Sequence, residues 1–387
     1  MAEIGCRFFN GYKPCGKSTT CDRAQCASYS SVQERILIVH LEAFGAVLRS
    51  TSLLEAIKRK YLRSHITWAT KAPSHHLLVN NELIDRVLID PYHALSALKF
   101  DLAFVIDKSL EAAGILAKTE AIEVRGFRAD QLTGAILPAN PEARELWDLG
   151  LNDHLKFKVN QKTEQQLVHE ALALGPYQRD EYHYRLTPAE KDLAQQRRDQ
   201  WSKFNRPVIG LNTGCAAVLA AKKLTVEGHR ELIAHIRRDQ DLKDLPIVLL
   251  GGPEDTERNQ KIAFGLDVQL SPTTLGMRDG MVSMQACDLV FSGDSLGMHM
   301  AIAQQKWTVA WFGPSCAQEI DLYGRGRKVL TKAACSPCWK RVCAQKVMCY
   351  DQVDFYEIAT GLKEGLKWLT SSSKPRSPEI SFSPFPY

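Results

Sequence analysis

Two consecutive series of short apolar runs, each alternating with helix-like segments, constrain this chain more than any other feature. The first series is RILIVHL (35–41), HITWATK (65–71), RVLID (86–90), DLAFVID (101–107) and AIEVRGF (121–127). The clearest helical pattern between them runs from Val47 to Tyr61. There Leu48, Leu53, Leu54 and Ile57 share one face, and Arg59 and Lys60 lie near the C-terminal end. Residues 140–206 are more polar and mostly helical, over 163–174 and 188–203, and read as an inter-domain region. The second series is PVIGLNTG (207–214), PIVLLGG (246–252), DVQLS (267–271), DLVFSG (288–293), WTVAWFG (307–313) and RKVLT (327–331), with helices fitting 225–239, 255–264, 279–286 and 295–304. Buried strands alternating with helices predict parallel sheets covered on both faces. The expected fold class is therefore α/β, with two Rossmann-like doubly wound domains facing a cleft.

A length of 387 residues agrees with two cores rather than one. The expected divisions are a Cys-rich segment over 1–34, an N-terminal domain over 35–185, a C-terminal domain over 186–370 and a Ser- and Pro-rich tail over 371–387. The tail composition predicts disorder or loose docking. The N-terminus has no apolar h-region, and no apolar stretch approaches the roughly 18–20 residues that span a bilayer. The expectation is a cytoplasmic protein. A net charge of +5 is mild for this size and favours an anionic partner without identifying one. No stripe of aromatic and basic residues accompanies it, which speaks against nucleic acid.

In doubly wound sheets ligands bind beyond the carboxyl ends of the strands. Four turns of the second series stand there. FSGDSLGMHMAIA (291–303) passes from an apolar run through Ser292, Gly293, Asp294 and Ser295 into a helix pattern. Free N–H groups at that helix start attract phosphate, Gly297 allows close approach of a ligand, and Asp294 fits an N-cap. Gly214 ends the first strand, with Lys222 and Lys223 soon after. GGPEDTER (251–258) offers Glu254, Asp255 and Glu257 to ribose hydroxyls, and FGPSCAQE (312–319) ends another strand. Together they point to a nucleotide site.

The order RILIVHLEAFGAVLRSTSLLEAIKRKY, GLNTG…KKLT, LLGGPEDTERN, CDLVFSGDSLGMHMAIA and VAWFGP resembles the ADP-heptose:lipopolysaccharide heptosyltransferases, glycosyltransferase family 9, over about residues 35–365. The resemblance implies the GT-B fold, transfer without a catalytic metal, and inversion at the anomeric carbon. It also implies a nucleotide-sugar donor, typically ADP-heptose, held mainly by the C-terminal domain. By position, Ser295, Leu296, Gly297, Met298 and His299 would surround the diphosphate. Lys222 or Lys223 would neutralise phosphate or orient the sugar, and Glu254 or Glu257 would meet the ribose. The acceptor would be lipopolysaccharide core or another surface glycan, approached at the inner face of the cytoplasmic membrane.

One position departs from the family. After the first strand the family carries Gly-Asp, its aspartate acting as base; here Ala46 stands in that place. A positioned base commonly contributes ~10²–10⁴-fold in rate, and alanine cannot act as one. Three readings follow: Ala46 is an introduced substitution, another carboxylate serves, or the chain binds a sugar nucleotide without transfer. The carboxylates near strand ends are Glu42 and Asp107, the latter equally suited to cap the helix in KSLEAAGIL. A GT-B-fold nucleotide-sugar epimerase is the alternative enzyme.

The eleven cysteines form two groups and three singles. Cys6, Cys15, Cys21 and Cys26 lie at the front, and Cys335, Cys338, Cys343 and Cys349 at the back. Four thiolates within such a span can hold zinc or an iron–sulfur cluster, and neither spacing matches a standard finger or ferredoxin. The expectation is a structural metal that orders a segment with too few apolar residues for its own core. Lys13, Lys17, Lys340, Arg341 and Lys346 around these thiolates could touch an anionic acceptor. Cys215, Cys287 and Cys316 read as packing residues.

Overall fold

The computed structural model describes residues 4–9, 11–18, 21–89 and 92–371. All of the tail beyond Ser371 lies outside the described residues, so its expected disorder is not addressed by the fold.

The first sheet contains β1 (Glu34–Val39), β2 (Ser64–Thr70), β3 (Arg86–Ile89), β4 (Lys99–Val105), β5 (Glu120–Ala129) and β6 (Ile136–Pro138), in the order β3-β2-β1-β4-β5-β6. All neighbours are parallel except β6, which runs antiparallel to β5. The second sheet contains β7 (Ile209–Asn212), β8 (Ile247–Leu250), β9 (Gln269–Leu270), β10 (Leu289–Gly293), β11 (Trp307–Phe312) and β12 (Gly326–Leu330). Its order is β12-β11-β10-β7-β8-β9, parallel throughout. Both sheets thus follow one scheme, in which strand order reverses beside the first strand. The crevices at those reversals, between β1 and β4 and between β7 and β10, are where such sheets take ligands.

Twelve α-helices accompany the strands among the described residues. In the first half they are α1 (Phe44–Ser50), α2 (Leu53–Lys60), α3 (Tyr92–Leu95), α4 (Leu110–Ala117), α5 (Arg144–Leu151) and α6 (Glu164–Ala171). In the second they are α7 (Pro188–Trp201), α8 (Val226–Arg238), α9 (Thr256–Ala263), α10 (Met277–Gln285), α11 (Leu296–Ala303) and α12 (Phe355–Thr370). Central strands are apolar on both faces because helices cover both. Ile36, Leu37, Ile38 and Val39 of β1 are all at most 1% exposed. Ile36 and Ile38 pack with Trp68 and Phe104, while Leu37 and Val39 pack with Leu95 and Ile115 on the other side.

The single helix expected over Val47–Tyr61 is two. Thr51 Oγ1 donates to the Leu48 carbonyl at 2.6 Å and accepts from His183 N–H at 2.9 Å, and Ser52 Oγ donates to the Arg49 carbonyl at 2.9 Å. Hydroxyls that bond backbone in this way compete with helix propagation. The break also separates the apolar face: Leu53, Leu54 and Ile57 join the first core, whereas Leu48 packs with residues of the second half such as Met298 and Met300. Strand β6 and helix α12 were not anticipated. α12 places Ile358 and Leu362 against the second sheet, with Val309 and Val329.

The N-terminal segment has little regular structure beyond an antiparallel bridge between Cys6 and Ser31. Arg7 ties it to the first half through Asp85 at 2.5 Å and the Glu82 carbonyl at 3.0 Å. No described helix is long and apolar enough to cross a membrane.

Candidate functional site at the facing strand ends

The start of α1 meets the start of α11. A side-chain carbon on Gly45 would lie 2.5 Å from His299 Cδ2, so glycine is what lets the two halves close here. Between them stands Tyr182 of the chain crossing from one half to the other. Its hydroxyl lies 3.0 Å from His299 Nδ1, and the rings are stacked at 6.0 Å. Burial, with Arg49 adding to it, pushes His299 down to about 3, so it presents a neutral imidazole.

At the second reversal, Asn212 at the end of β7 organises the turn after β10. Its Nδ2 donates to Ser292 Oγ at 3.0 Å, Ser295 Oγ at 3.0 Å and the Gly214 carbonyl at 3.1 Å. Gly297 makes room for this side chain, since a Cβ there would sit 2.4 Å from Asn212 Cγ. Ser295 is the N-cap of α11, yet it makes no side-chain bond to the helix amides. The first-turn N–H groups of α11 therefore carry no side-chain cap, which leaves the donors an anion would use. Ser295 and Leu296 keep some exposure; Met298 is fully buried in the apolar core, so its side chain does not face a diphosphate.

Asp294 is not the helix cap. It pairs with Lys222 at 2.7 Å, and although burial opposes its charge, Lys222 holds the carboxyl below its ordinary range. Both lysines named from the sequence are paired with carboxylates. Lys223 lies 3.6 Å from the buried Asp255 and 3.5 Å from the Cys215 carbonyl. Asp255 in turn accepts the Gly252 N–H at 3.0 Å, so it shapes its own loop. Glu257 is exposed and paired with Lys261 at 2.7 Å, while Glu254 lies exposed beside Gly252.

At the first reversal Asp107 accepts the Leu41 N–H at 2.5 Å and lies 3.6 Å from His40 Nε2. It does not cap α4; Ser109 does, accepting the Ala112 N–H at 3.2 Å. Burial pushes the Asp107 carboxyl up to about 7, against the Leu41 hydrogen bond that favours its charge. Glu42 is exposed and 3.7 Å from Lys71. Ala46 is half-buried on α1, one residue from the His299 contact.

A charged set that the sequence pattern did not reveal joins the halves. Arg49 on α1 pairs with Glu164 at 2.9 Å, and Lys156 lies 3.6 Å from Glu319 of the second half. Burial and the neighbouring Glu164 push Glu319 upward, whereas Arg49 holds Glu164 low despite its burial. These residues come from segments 49, 156–164 and 319, which no local motif links. The GLNTG stretch did contain Asn212, and an amide at a strand end was the one available signal for it.

All eleven cysteines are free. Cys6, Cys15, Cys21 and Cys26 line one cavity. Among the described residues, however, no group of three or more His, Cys, Asp or Glu is arranged to hold a metal ion, so the expected zinc or iron–sulfur sites are not supported as the thiols stand. Cys215, Cys287 and Cys316 are buried, as packing residues should be.

The family model for glycosyltransferase family 9 (heptosyltransferase) matches residues 92–348, more than half of the chain. No curated protein sequence matches. Among solved structures, the glycosyl transferase family 9 protein of Veillonella parvula DSM 2008 superposes with a TM-score of 0.69 at 17% identity, covering 87% of this chain and 98% of that one. The ADP-heptose lps heptosyltransferase II of E. coli gives 0.62 at 18% identity, with 87% and 100% covered. TibC of enterotoxigenic E. coli H10407, a dodecameric iron-containing heptosyltransferase solved with ADP-D-beta-D-heptose, gives 0.57 at 12% identity, with 89% and 79% covered. The two facing parallel sheets are the GT-B fold of these proteins. The chain belongs to glycosyltransferase family 9, the heptosyltransferase family.

Proposed function

We propose that the chain is an inverting sugar transferase that moves a heptose or related sugar from an ADP-linked donor to a glycan acceptor. The observation that carries this reading is the second reversal, where Asn212 draws the Ser295 hydroxyl away from the α11 amides and leaves their N–H groups for a diphosphate. Lys222, held beside Asp294, is the cation nearest that turn, and Glu254 rather than Glu257 meets the ribose. The donor assignment draws on TibC, which was solved with ADP-D-beta-D-heptose. The acceptor is lipopolysaccharide core or another surface glycan, met at the inner membrane face.

Inverting transfer needs the acceptor hydroxyl deprotonated as it attacks the anomeric carbon, with the nucleoside diphosphate leaving from the opposite side. Asp107 is the base in this proposal. A carboxyl near 7 at a strand end is matched to proton abstraction at neutral pH, and neither Ala46 nor the Lys71-paired Glu42 offers an equivalent. A second reading, binding without transfer, is favoured by Ala46 alone. Sugar transfer from ADP-heptose by the wild type, Asp107→Asn and Ala46→Asp separates them. The Asp107 reading expects transfer by the wild type, its loss in Asp107→Asn and no gain in Ala46→Asp. Gain only in Ala46→Asp points to a missing base, and ADP binding with no turnover in any variant supports the binder.

For the cysteines the proposal is narrower. Convergence of four thiols on one cavity supports a structural metal at Cys6, Cys15, Cys21 and Cys26 once they close in as thiolates. Metal analysis of the purified chain tests it; less than about half an equivalent of zinc or iron removes it.

A further inference from the structure

The second cysteine group has a consequence apart from any metal. The loop between β12 and α12 folds back onto the end of β11. Ser336 Oγ donates to the Gly313 carbonyl at 2.6 Å, and the N–H groups of Cys338 and Trp339 both donate to the Pro314 carbonyl, at 3.0 and 2.9 Å. Trp339 is thereby brought to the mouth between the halves. Its indole N–H points at Cys316 Sγ, 3.3 Å away. The Lys222 ammonium lies 4.3 Å from the ring centroid and the Lys156 ammonium 4.9 Å from it. One lysine belongs to the second half and the other to the first. Cys349 of the same loop lies 3.8 Å from the carbonyl of Ala221, the residue before Lys222, so the loop touches the lysine segment twice.

Two further facts indicate a built arrangement. Trp339 has a φ of +50°, a left-handed conformation that a bulky side chain adopts only when its surroundings over-determine it, as at ligand clamps. Like charges also meet at the indole: two ammonium groups share one ring, and each is additionally paired with a carboxylate, Asp294 for Lys222 and Glu319 for Lys156. The ring therefore adds a second contact to each of two ammonium groups that already have a carboxylate partner.

We propose that Trp339 is a positioning residue of the donor site, whose indole holds Lys222 and Lys156 toward the diphosphate of a nucleotide sugar. This rests on the nucleotide-sugar reading above. The aromatic face attracts the ammonium groups electrostatically, so phenylalanine can substitute in part and leucine cannot.

The test uses the full chain and compares Trp339→Leu with Trp339→Phe, two apolar replacements that differ in whether a ring remains. ADP binding by calorimetry and separate KM values for donor and acceptor are the readouts. Trp339→Leu is expected to weaken ADP binding and raise the donor KM about tenfold, with Trp339→Phe within about threefold of wild type. The acceptor KM stays unchanged in both. Equal ADP affinity in wild type and Trp339→Leu overturns the proposal, as does an equal loss in the Leu and Phe variants, which would mark a bulk-packing role. If the wild type itself fails to bind ADP, the nucleotide-sugar reading has failed first. Trp339→Ala, with thermal melting alongside, checks that the Leu result does not reflect new apolar contacts: it should weaken ADP at least as much as Leu does, and wild-type affinity in a folded Trp339→Ala overturns the proposal.

Discussion

The two halves share a strand order and differ in what they place at its reversal. Between β1 and β4 stands an acid, Asp107, half-buried beside His40 and accepting the Leu41 N–H. Between β7 and β10 stands an amide, Asn212, that fastens two serine hydroxyls and a carbonyl. One crevice holds a carboxyl raised by burial; the other holds an amide, two hydroxyls and the Lys222–Asp294 pair around an uncapped helix start. Topology alone therefore supplies two equivalent crevices that side-chain chemistry distinguishes; in the proposed reading one serves proton transfer and the other anion binding.

The largest expected effect tests the acid. Asp107→Asn should lower kcat by ~10²–10⁴-fold with little change in donor KM, read by steady-state transfer assays. The same residue predicts the pH profile. Only ionised Asp107 accepts a proton, so kcat should rise with pH through about 7 and level above it, and this limb should vanish in any residual activity of Asp107→Asn. Activity that is flat across that range in the wild type would assign the base elsewhere.

The amide is tested next. Asn212→Ala unfastens Ser292 and Ser295 and should raise the ADP dissociation constant and donor KM about tenfold while kcat falls less than in Asp107→Asn. If both variants move kcat and KM alike, the division between the halves is wrong. Smaller again is Gly45→Ala. A Cβ 2.5 Å from His299 must push the two helix starts apart, and denaturant unfolding should show a loss of ~1–3 kcal/mol. The smallest is Glu257→Gln, which removes an exposed intrahelical pair and should leave donor KM within about twofold of wild type. A larger change would return Glu257 to the ribose and displace Glu254.

Much of the frame was legible before any coordinates. Eleven of the described strands fall on apolar runs read from period and composition, most clearly the central ones, where cover on both faces demands a continuously apolar run. The missing one, β6, is three residues with a proline, too short to carry a pattern. The break at Thr51–Ser52 escaped because its cause is remote: the hydroxyl of Thr51 serves the amide of His183. The misplaced roles were local inferences with distant competitors. Asp294 suits an N-cap by position, but Lys222 captures it; Asp107 suits a cap for α4, but the Leu41 N–H holds it and Ser109 caps instead.

Local order along the chain was enough to establish two doubly wound sheets, the turns at their carboxyl ends, and the absence of an aspartate at 46. Burial and backbone pairing act over a few residues, and periodicity records them directly. Only the packed structure decided which carboxylate each of two adjacent lysines pairs with, that burial raises the Asp107 carboxyl, and that a tryptophan from a cysteine-rich loop lies between lysines of opposite halves. Those outcomes depend on partners remote in sequence and on how far water is excluded around them, and neither quantity is written in any short stretch of sequence.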